Sequence, residues 1–283
     1  MALLAGSHIE VTTEPSGGRI ISLRAYGQEL LWQGDPFAGQ LSGIPDAGIV
    51  SHLAEETAWR AFKRNFGFPL SGGDRLWIAP EKEWWEKIPP LDLDVGMYAQ
   101  QVRAGMVVMT SPVCRETGLQ VMRSLRLGDD GEVVLRDEIR NVSNRNVTRG
   151  LWNVSRVRRP FTAYFPGSSD QWRSYHLTDK TLPVPSVKVT SSDGKVGVPC
   201  VNGECYKFGG MPTEGFSALI KGNIVWERSF DLYPVERYAH GSAVEVFNSH
   251  IHEYGEVEIH SPLYRLAPGE NAVFQQRWQF RKT

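Results

Sequence analysis

The sequence predicts an all-β protein, a large antiparallel β-sandwich with one short helical insertion. Short segments with alternating apolar and polar residues recur along the chain, and turn residues such as Gly, Asn, Asp and Pro separate them. Strands do not alternate with long amphipathic helices, as they would in a parallel α/β sheet. A chain of 283 residues can bury a sizeable core. We expect one domain over residues 1–283.

Taken in chain order, residues 9–32 alternate and predict two or three strands. Residues 119–143 predict a hairpin that turns at Asp129-Asp130-Gly131. Later strands are expected within residues 186–198, 217–230, 243–249, 256–262 and 271–280. One helix is predicted over Ser51–Arg64, with Ser51 as its N-cap. Its apolar face would hold Leu53, Ala54, Ala58, Ala61 and Phe62.

The composition narrows the classes of partner. The net charge of −1 gives no reason to expect nucleic acid as the main partner. No apolar run approaches the ~18 residues of a membrane-spanning helix. The N-terminus does not resemble a signal peptide, which favours a cytoplasmic location. A periplasmic or secreted location stays open if a leader was removed.

Two of the three cysteines flank a turn signal. Asn202-Gly203 favours a two-residue hairpin turn. Val201 and Glu204 would then be the cross-strand pair beside the turn, and Cys200 and Cys205 would be the next cross-strand pair. Their Cα atoms would then lie ~4.5 Å apart, within reach of a disulfide. The alternatives are a disulfide and two reduced thiols.

The C-terminal stretch carries the densest group of titratable residues. His250, His252, Glu256, Glu258 and His260 all occupy even positions, and residues two apart on a strand point to one face. Carboxylates and imidazoles on one face suit proton transfer or metal binding. Gly255 predicts a turn, which would place the two histidines before it on a neighbouring strand. Glu258 could also lie on a solvent-exposed face.

Other side chains are candidates for substrate binding. Arg123 shares its strand face with four apolar residues, so it should line a cleft or pair with a buried carboxylate. Asp74 and Trp77 follow Gly72-Gly73, and Trp152 and Asn153 lie on a later strand. Tryptophan faces can stack on sugar rings, but most tryptophans belong to cores.

Three segments resemble the galactose-mutarotase-like superfamily. They are GGDRLWIAPEKEW, RNVSNRNVTRGLWNVSRVRRP and the terminal VEVFNSHIHEYGEVEIHSPLYRLAPGE. The resemblance covers residues 9–280 and points to a bacterial branch of uncharacterised function. It implies a β-supersandwich with a sugar-binding cleft on one concave sheet. We therefore expect a small-molecule carbohydrate as partner, no cofactor, and a monomer or homodimer.

The resemblance also implies roles for particular residues. Aldose 1-epimerases of this superfamily use a C-terminal glutamate as base, and VEIH places Glu258 there. These enzymes also use two histidines, an acid in a mid-chain segment and a second one that precedes a Gly-Gly pair. Neither is present in this chain: Trp152 stands near the first position, and Leu70-Ser71 precede Gly72-Gly73. The acid would then come from His240, His250, His252 or His260.

Three functions remain open. The first is an enzyme performing acid–base chemistry on a sugar, such as epimerisation, isomerisation or elimination, with Glu258, His252, His260 and Glu256 as its catalytic groups. The second is a non-catalytic carbohydrate-binding protein. The third is a metal-dependent, cupin-type enzyme built on His250, His252 and Glu256. Because H-x-H alone is a weak motif, we expect no metal.

Overall fold

The computed structural model describes residues 1–34, 55–68, 70–175 and 189–283. These residues form two large antiparallel sheets of eleven and ten strands, and one continuous apolar core lies between them. The all-β sandwich predicted from the alternating pattern is confirmed. No helix among the described residues is long and apolar enough to cross a membrane.

The first sheet holds β1 (Ala2–Ala5), β2 (Ile9–Glu14), β3 (Arg19–Ala25), β4 (Gln28–Glu29), β5 (Asp74–Ala79), β10 (Val147–Arg158), β12 (Trp172–Tyr175), β15 (Tyr206–Gly210), β18 (Val244–Asn248), β19 (Tyr254–His260) and β20 (Tyr264–Leu266). Its order is β1-β2-β3-β5-β10-β19-β18-β15-β12, with β4 beside β3 and β20 beside β10. The centre of this sheet is therefore built from strands that are distant in sequence.

The second sheet holds β6 (Ala99–Arg103), β7 (Met106–Thr110), β8 (Leu119–Leu127), β9 (Val133–Asn141), β11 (Phe161–Pro166), β13 (Thr190–Ser192), β14 (Lys195–Cys200), β16 (Phe216–Lys221), β17 (Ile224–Phe230) and β21 (Asn271–Lys282). Its order is β13-β14-β11-β16-β17-β21-β9-β8-β7-β6. Strands β8 and β9 pair from Leu119 opposite Asn141 to Leu127 opposite Val133, which confirms the predicted hairpin.

Helix α1 spans Glu56–Phe66 and helix α2 spans Leu91–Asp94. The first four residues of the predicted helix, including Ser51, lie outside the described residues. Residues 80–87 connect β5 towards α2 and contain two 3-10 turns, Glu81–Glu83 and Trp85–Lys87. We call residues 80–87 the covering segment, because of where it lies on the first sheet.

Two turn predictions were wrong. Asn202-Gly203 does not close a hairpin, since β14 before it and β15 after it belong to different sheets. Cys200 and Cys205 are both free thiols. Gly255 lies inside β19 rather than in a turn. A Cβ atom on it would lie 2.8 Å from Cys200 Sγ, so close packing of the two sheets requires glycine there.

Arg123 lies between the sheets and not in a cleft. Its Nε donates to Asp137 Oδ1 at 2.9 Å, and its Nη2 donates to Asp74 Oδ1 at 2.7 Å. Because Arg123 and Asp137 belong to the second sheet and Asp74 to the first, this arginine joins the two layers. Of the two environments predicted for Arg123, a cleft or a buried carboxylate, the structure shows the buried carboxylate.

Candidate functional site

A cluster of charged and aromatic side chains covers the outer face of the first sheet. Strands β10 and β19 pair with Trp152 opposite His260, Val154 opposite Glu258 and Arg156 opposite Glu256. The residues between these pairs face the core, so the even positions face outwards. The predicted common face of Glu256, Glu258 and His260 is therefore confirmed.

Two glutamates and one lysine form the centre of this cluster. Glu245 on β18 is the strand neighbour of Glu258 on β19. Lys207 on β15 places its Nζ 2.8 Å from Glu245 Oε2 and 3.1 Å from Glu258 Oε2. Both carboxylates are completely buried. One ammonium group is thus shared by two carboxylates in a low-dielectric setting.

The two glutamates differ in proton affinity. Burial disfavours the charged form of both side chains. Around Glu245, the charge of Lys207 and the adjacent histidines outweigh burial and hold its pKa well below the usual value. For Glu258, burial and the nearby charges of Glu245 and Glu256 raise the pKa to about 8 despite Lys207. Such a divergence between neighbouring acids is typical of functional sites.

Two histidines, His240 and His260, lie beside this centre, and they also differ from each other in proton affinity. His240 places Nδ1 3.0 Å from Glu245 Oε1 and Nε2 2.7 Å from Glu81 Oε2. Burial opposes its positive charge, but these two contacts raise the pKa of His240 to about 9. For His260, burial prevails and lowers the pKa to about 4. At neutral pH, His240 carries a proton to donate and His260 is neutral.

Three tryptophans form an apolar wall beside the charged groups. The rings of Trp77 and Trp152 meet edge-to-face at a centroid distance of 5.0 Å. Trp84, from the covering segment, stacks on Trp152 at 5.7 Å. Trp152 also donates from Nε1 to Glu258 Oε2 at 2.8 Å. An apolar wall hydrogen-bonded to a carboxylate suits a ligand with one apolar face and polar edges.

Several buried polar atoms in the cluster have no hydrogen-bond partner among the described residues. They include Glu258 Oε1 and His260 Nδ1, whereas His260 Nε2 lies 3.4 Å from Glu245 Oε2 without the geometry of a hydrogen bond. Buried polar atoms are nearly always satisfied in native proteins, by protein groups or by a bound molecule. These atoms can accept from, or donate to, the hydroxyl groups of a ligand.

Glu256 belongs to a second charged group on the same face. Its Oε1 accepts from Arg156 Nε at 2.7 Å. Arg75 lies nearby and pairs with Asp94, whose Oδ1 also accepts from Trp77 Nε1 at 2.7 Å. Because these carboxylates are already paired, Glu256 is less suited than Glu258 to accept a proton from a ligand.

His250 and His252 do not join the cluster. Both lie in the turn between β18 and β19. His250 is exposed, whereas His252 stacks on Tyr254 with ring centroids 5.8 Å apart. His250, His252 and Glu256, the metal set of the third functional hypothesis, are not brought together: the ligand group found among the described residues is His240, Glu245 and His260.

Asp74 and Asn153 also lie elsewhere than predicted for substrate-binding residues. The amide of Asn153 donates to both oxygens of Asp74 at 2.9 Å, and the Ser155 hydroxyl donates to Asp74 Oδ2 at 2.6 Å. With Arg123, these side chains form a buried polar network between the sheets. They hold β5 to β10, and no ligand on the outer face can touch them.

Sequence reasoning missed Glu245, Lys207 and Glu81. Glu245 and Lys207 each stand as a single charge between apolar neighbours, in AVEVF and CYKFG. This is the same local signal that singled out Glu258. This local pattern could have indicated both residues. It does not show that their strands lie beside each other and beside the strand of Glu258.

One group of residues could hold a metal ion. Ligand atoms of His240, Glu245 and His260 lie within 4.8 Å of one another. Lys207 Nζ lies 2.8 Å from Glu245 Oε2, however, and already neutralises this carboxylate. A divalent ion at this position would have to compete with a fixed ammonium group.

The fold of the chain is similar to that of solved galactose mutarotase-like and aldose epimerase-like proteins. The Slr1438 protein of Synechocystis sp. PCC 6803 matches with a TM-score of 0.64 and 13% identity, over 100% of this chain and 96% of that one. A galactose mutarotase-like protein from Lactobacillus casei matches with a TM-score of 0.64 and 8% identity, over 99% and 100%. An aldose epimerase homologue from C. elegans gives 0.60 and 9%, over 99% and 98%.

The particular family follows from the sequence. The chain belongs to the family described as a domain of unknown function, DUF4380, whose model matches residues 94–281, about two thirds of its length. A search of curated proteins finds no significant match. At 8–13% identity, these structural neighbours show that the fold is shared. The activity of this chain has to be inferred from its own site residues.

Proposed function

We propose that the protein binds a sugar or sugar derivative on the outer face of the first sheet and transfers protons to and from it. Glu258 serves as the base, and protonated His240 serves as the acid. The observation that carries this proposal is Glu258 itself. It is buried, its Oε1 atom has no partner among the described residues, and its pKa is raised to about 8.

With a pKa of about 8, Glu258 is ionised in about a tenth of the molecules at pH 7, so its action as a base should increase as the pH approaches 8. An ordinary glutamate, with a pKa near ~4.3, binds a proton too weakly to take one efficiently from a sugar hydroxyl. His240 contacts Glu245 rather than Glu258, so an acid and a base lie side by side without neutralising each other. Trp152 and Trp77 offer the apolar wall for the ring.

The test compares wild type with Glu258→Gln, using polarimetry and proton-exchange NMR on a panel of freshly dissolved aldoses. Glutamine keeps the shape and still binds hydroxyl groups, but it cannot act as a base. We expect sugar binding to persist and turnover to fall by at least ~10²-fold. His250→Ala is the matched control and should retain full activity. An active Glu258→Gln variant would refute the role of Glu258.

The second candidate is a non-catalytic carbohydrate-binding protein. It is favoured by one observation: Trp152 stands near the position where aldose 1-epimerases carry an acid histidine. In that case wild type would bind sugar without turnover, and Glu258→Gln would weaken binding alone. Activity abolished by a chelator and restored by a divalent metal would favour a metal enzyme instead.

A further inference from the structure

The proposed base has no open route to solvent. Glu245 and Glu258 are 0% exposed, and His260 is 1% exposed. A sugar ring is far larger than any gap that leaves such side chains fully buried. If a ligand reaches Glu258 Oε1, part of the protein must move first.

The covering segment, residues 80–87, lies directly against the outer side of the cluster. Trp84 lies against Trp152 with ring planes 20° apart, and its edge-to-face contact with Trp77 spans 5.6 Å. Glu81 contacts His240 at 2.7 Å. This segment therefore contacts both the aromatic wall and the proposed acid.

Besides its contacts with the cluster, the segment is held by a hydrogen bond from Trp84 Nε1 to the Ile78 carbonyl oxygen at 2.7 Å, by Arg60 lying 4.2 Å from the centre of the Trp85 ring, and by two ion pairs. Glu83 pairs with Arg149 at 2.5 Å, with the glutamate 43% exposed. Glu86 pairs with Arg64, whose side chain is 65% exposed, at 2.9 Å. Arg149 is 14% exposed and Glu86 22% exposed, but the other partner of each pair is well solvated, so each pair stabilises the structure by only about 1 kcal/mol or less.

The backbone of the segment is also in a disfavoured conformation. Glu86 and Lys87 both have a φ of 56°, in the left-handed region. Residues with a Cβ atom seldom adopt this conformation, and two in succession are rarer still. Strain of this kind is common where a segment has two arrangements.

We propose that residues 80–87 are a movable cover, and that Trp84 occupies the stacking place on Trp152 which a sugar ring takes when the cover opens. The cover is inferred from contacts and burial, whereas the nature of the ligand rests on the proposed function. The ligand would present an apolar C–H face to Trp152 and a hydroxyl group to Glu258 Oε1.

A chemical label tests the cover without any ligand. Diethyl pyrocarbonate modifies neutral imidazole, so His260 should react once it is uncovered, and exposed His250 serves as the internal reference. Peptide mass spectrometry gives the rate at each site for wild type, Trp84→Ala and Glu83→Gln. Glu132→Gln is the matched control, since it breaks a similar surface pair with Arg277 at 2.9 Å on the second sheet.

We expect His260 to react ~10-fold faster in Trp84→Ala, because the stacking contact is lost. In Glu83→Gln the rate should rise ~3-fold, as expected from losing one exposed ion pair. The control variant and the rate at His250 should not change. If Trp84→Ala does not fold, Glu83→Gln alone decides. An unchanged His260 rate in the folded variants would overturn the cover.

Adding D-galactose or D-glucose separates this inference from the proposed function. If either sugar protects His260 and binds more tightly to Trp84→Ala than to wild type, Trp84 occupies the ligand's place. Weaker sugar binding to Trp84→Ala would show that Trp84 is part of the binding site in its present position. It would refute the proposal that a sugar ring replaces Trp84 on Trp152. Should uncovering speed labelling while neither sugar protects, the cover stands and the proposed sugar site fails.

Discussion

The two neighbouring glutamates should affect stability in opposite directions as the pH changes. Glu258 has a pKa of about 8 in the folded protein, against 4.5 for a free side chain. The folded state therefore holds this proton more tightly than the unfolded chain does. The stability from Glu258 is fully present below about pH 4.5 and is lost as the pH rises through 8.

The magnitude follows from the size of the shift. At ~1.4 kcal/mol per pKa unit, the change from 4.5 to about 8 amounts to up to about 5 kcal/mol. Glu258→Gln removes this titration. The free energy of unfolding of wild type minus that of the variant should therefore fall by several kcal/mol between about pH 4 and about pH 9.

Glu245→Gln is the matched control, because Glu245 lies directly across the strand pair and its pKa is lowered. Its contribution is present above the ordinary glutamate pKa and is lost as the pH falls. Urea denaturation of wild type and both variants across this range measures all three profiles. A flat or rising difference for Glu258→Gln would show that the glutamate is ionised in the folded protein.

Two further variants test the packing between the sheets. Arg123→Met should lower the free energy of unfolding by about 3–5 kcal/mol, because Asp74 and Asp137 would stay buried without their partner; a thermal melt with unchanged or raised Tm would contradict this. Gly255→Ala should cost about 1–3 kcal/mol by forcing its new Cβ to 2.8 Å from both Cys200 Sγ and Phe161 Cζ, and Cys200→Ala in the same chain should recover the part of the loss that comes from the thiol. If the double variant is no more stable than Gly255→Ala, the clash with the thiol is not the cause.

The fold was predictable because alternation is a local signal. The strands around Asp129-Asp130-Gly131 and the common face of Glu256, Glu258 and His260 both follow from a period of two. Cys200 and Cys205 show the limit of local reasoning. The turn between them is favourable for a hairpin, yet the strands on its two sides join different sheets.

The site was only partly predictable for two physical reasons. Strands β5 and β10 are buried on both faces, so their polar residues do not reveal which face is inward. Asp74 and Asn153 were therefore expected on the face opposite to their actual one. The partners of Glu258 come from other strands, and pairing between β15, β18 and β19 depends on long-range packing that no short segment encodes.

The polar network between the sheets has a consequence for how this protein can change over time. Asp74 and Arg75 are adjacent in sequence and point to opposite sides of one strand, as Trp152 and Asn153 do on the next. The inward residue of each pair joins the strands through buried hydrogen bonds. The outward residue is bonded within the cluster instead, where Arg75 pairs with Asp94 and Trp152 donates to Glu258. A change of ligand would therefore require the outward side chains to change together with their partners, while the inward network stays in place. Proteins that share this architecture at low identity would then be expected to differ first on that outer surface.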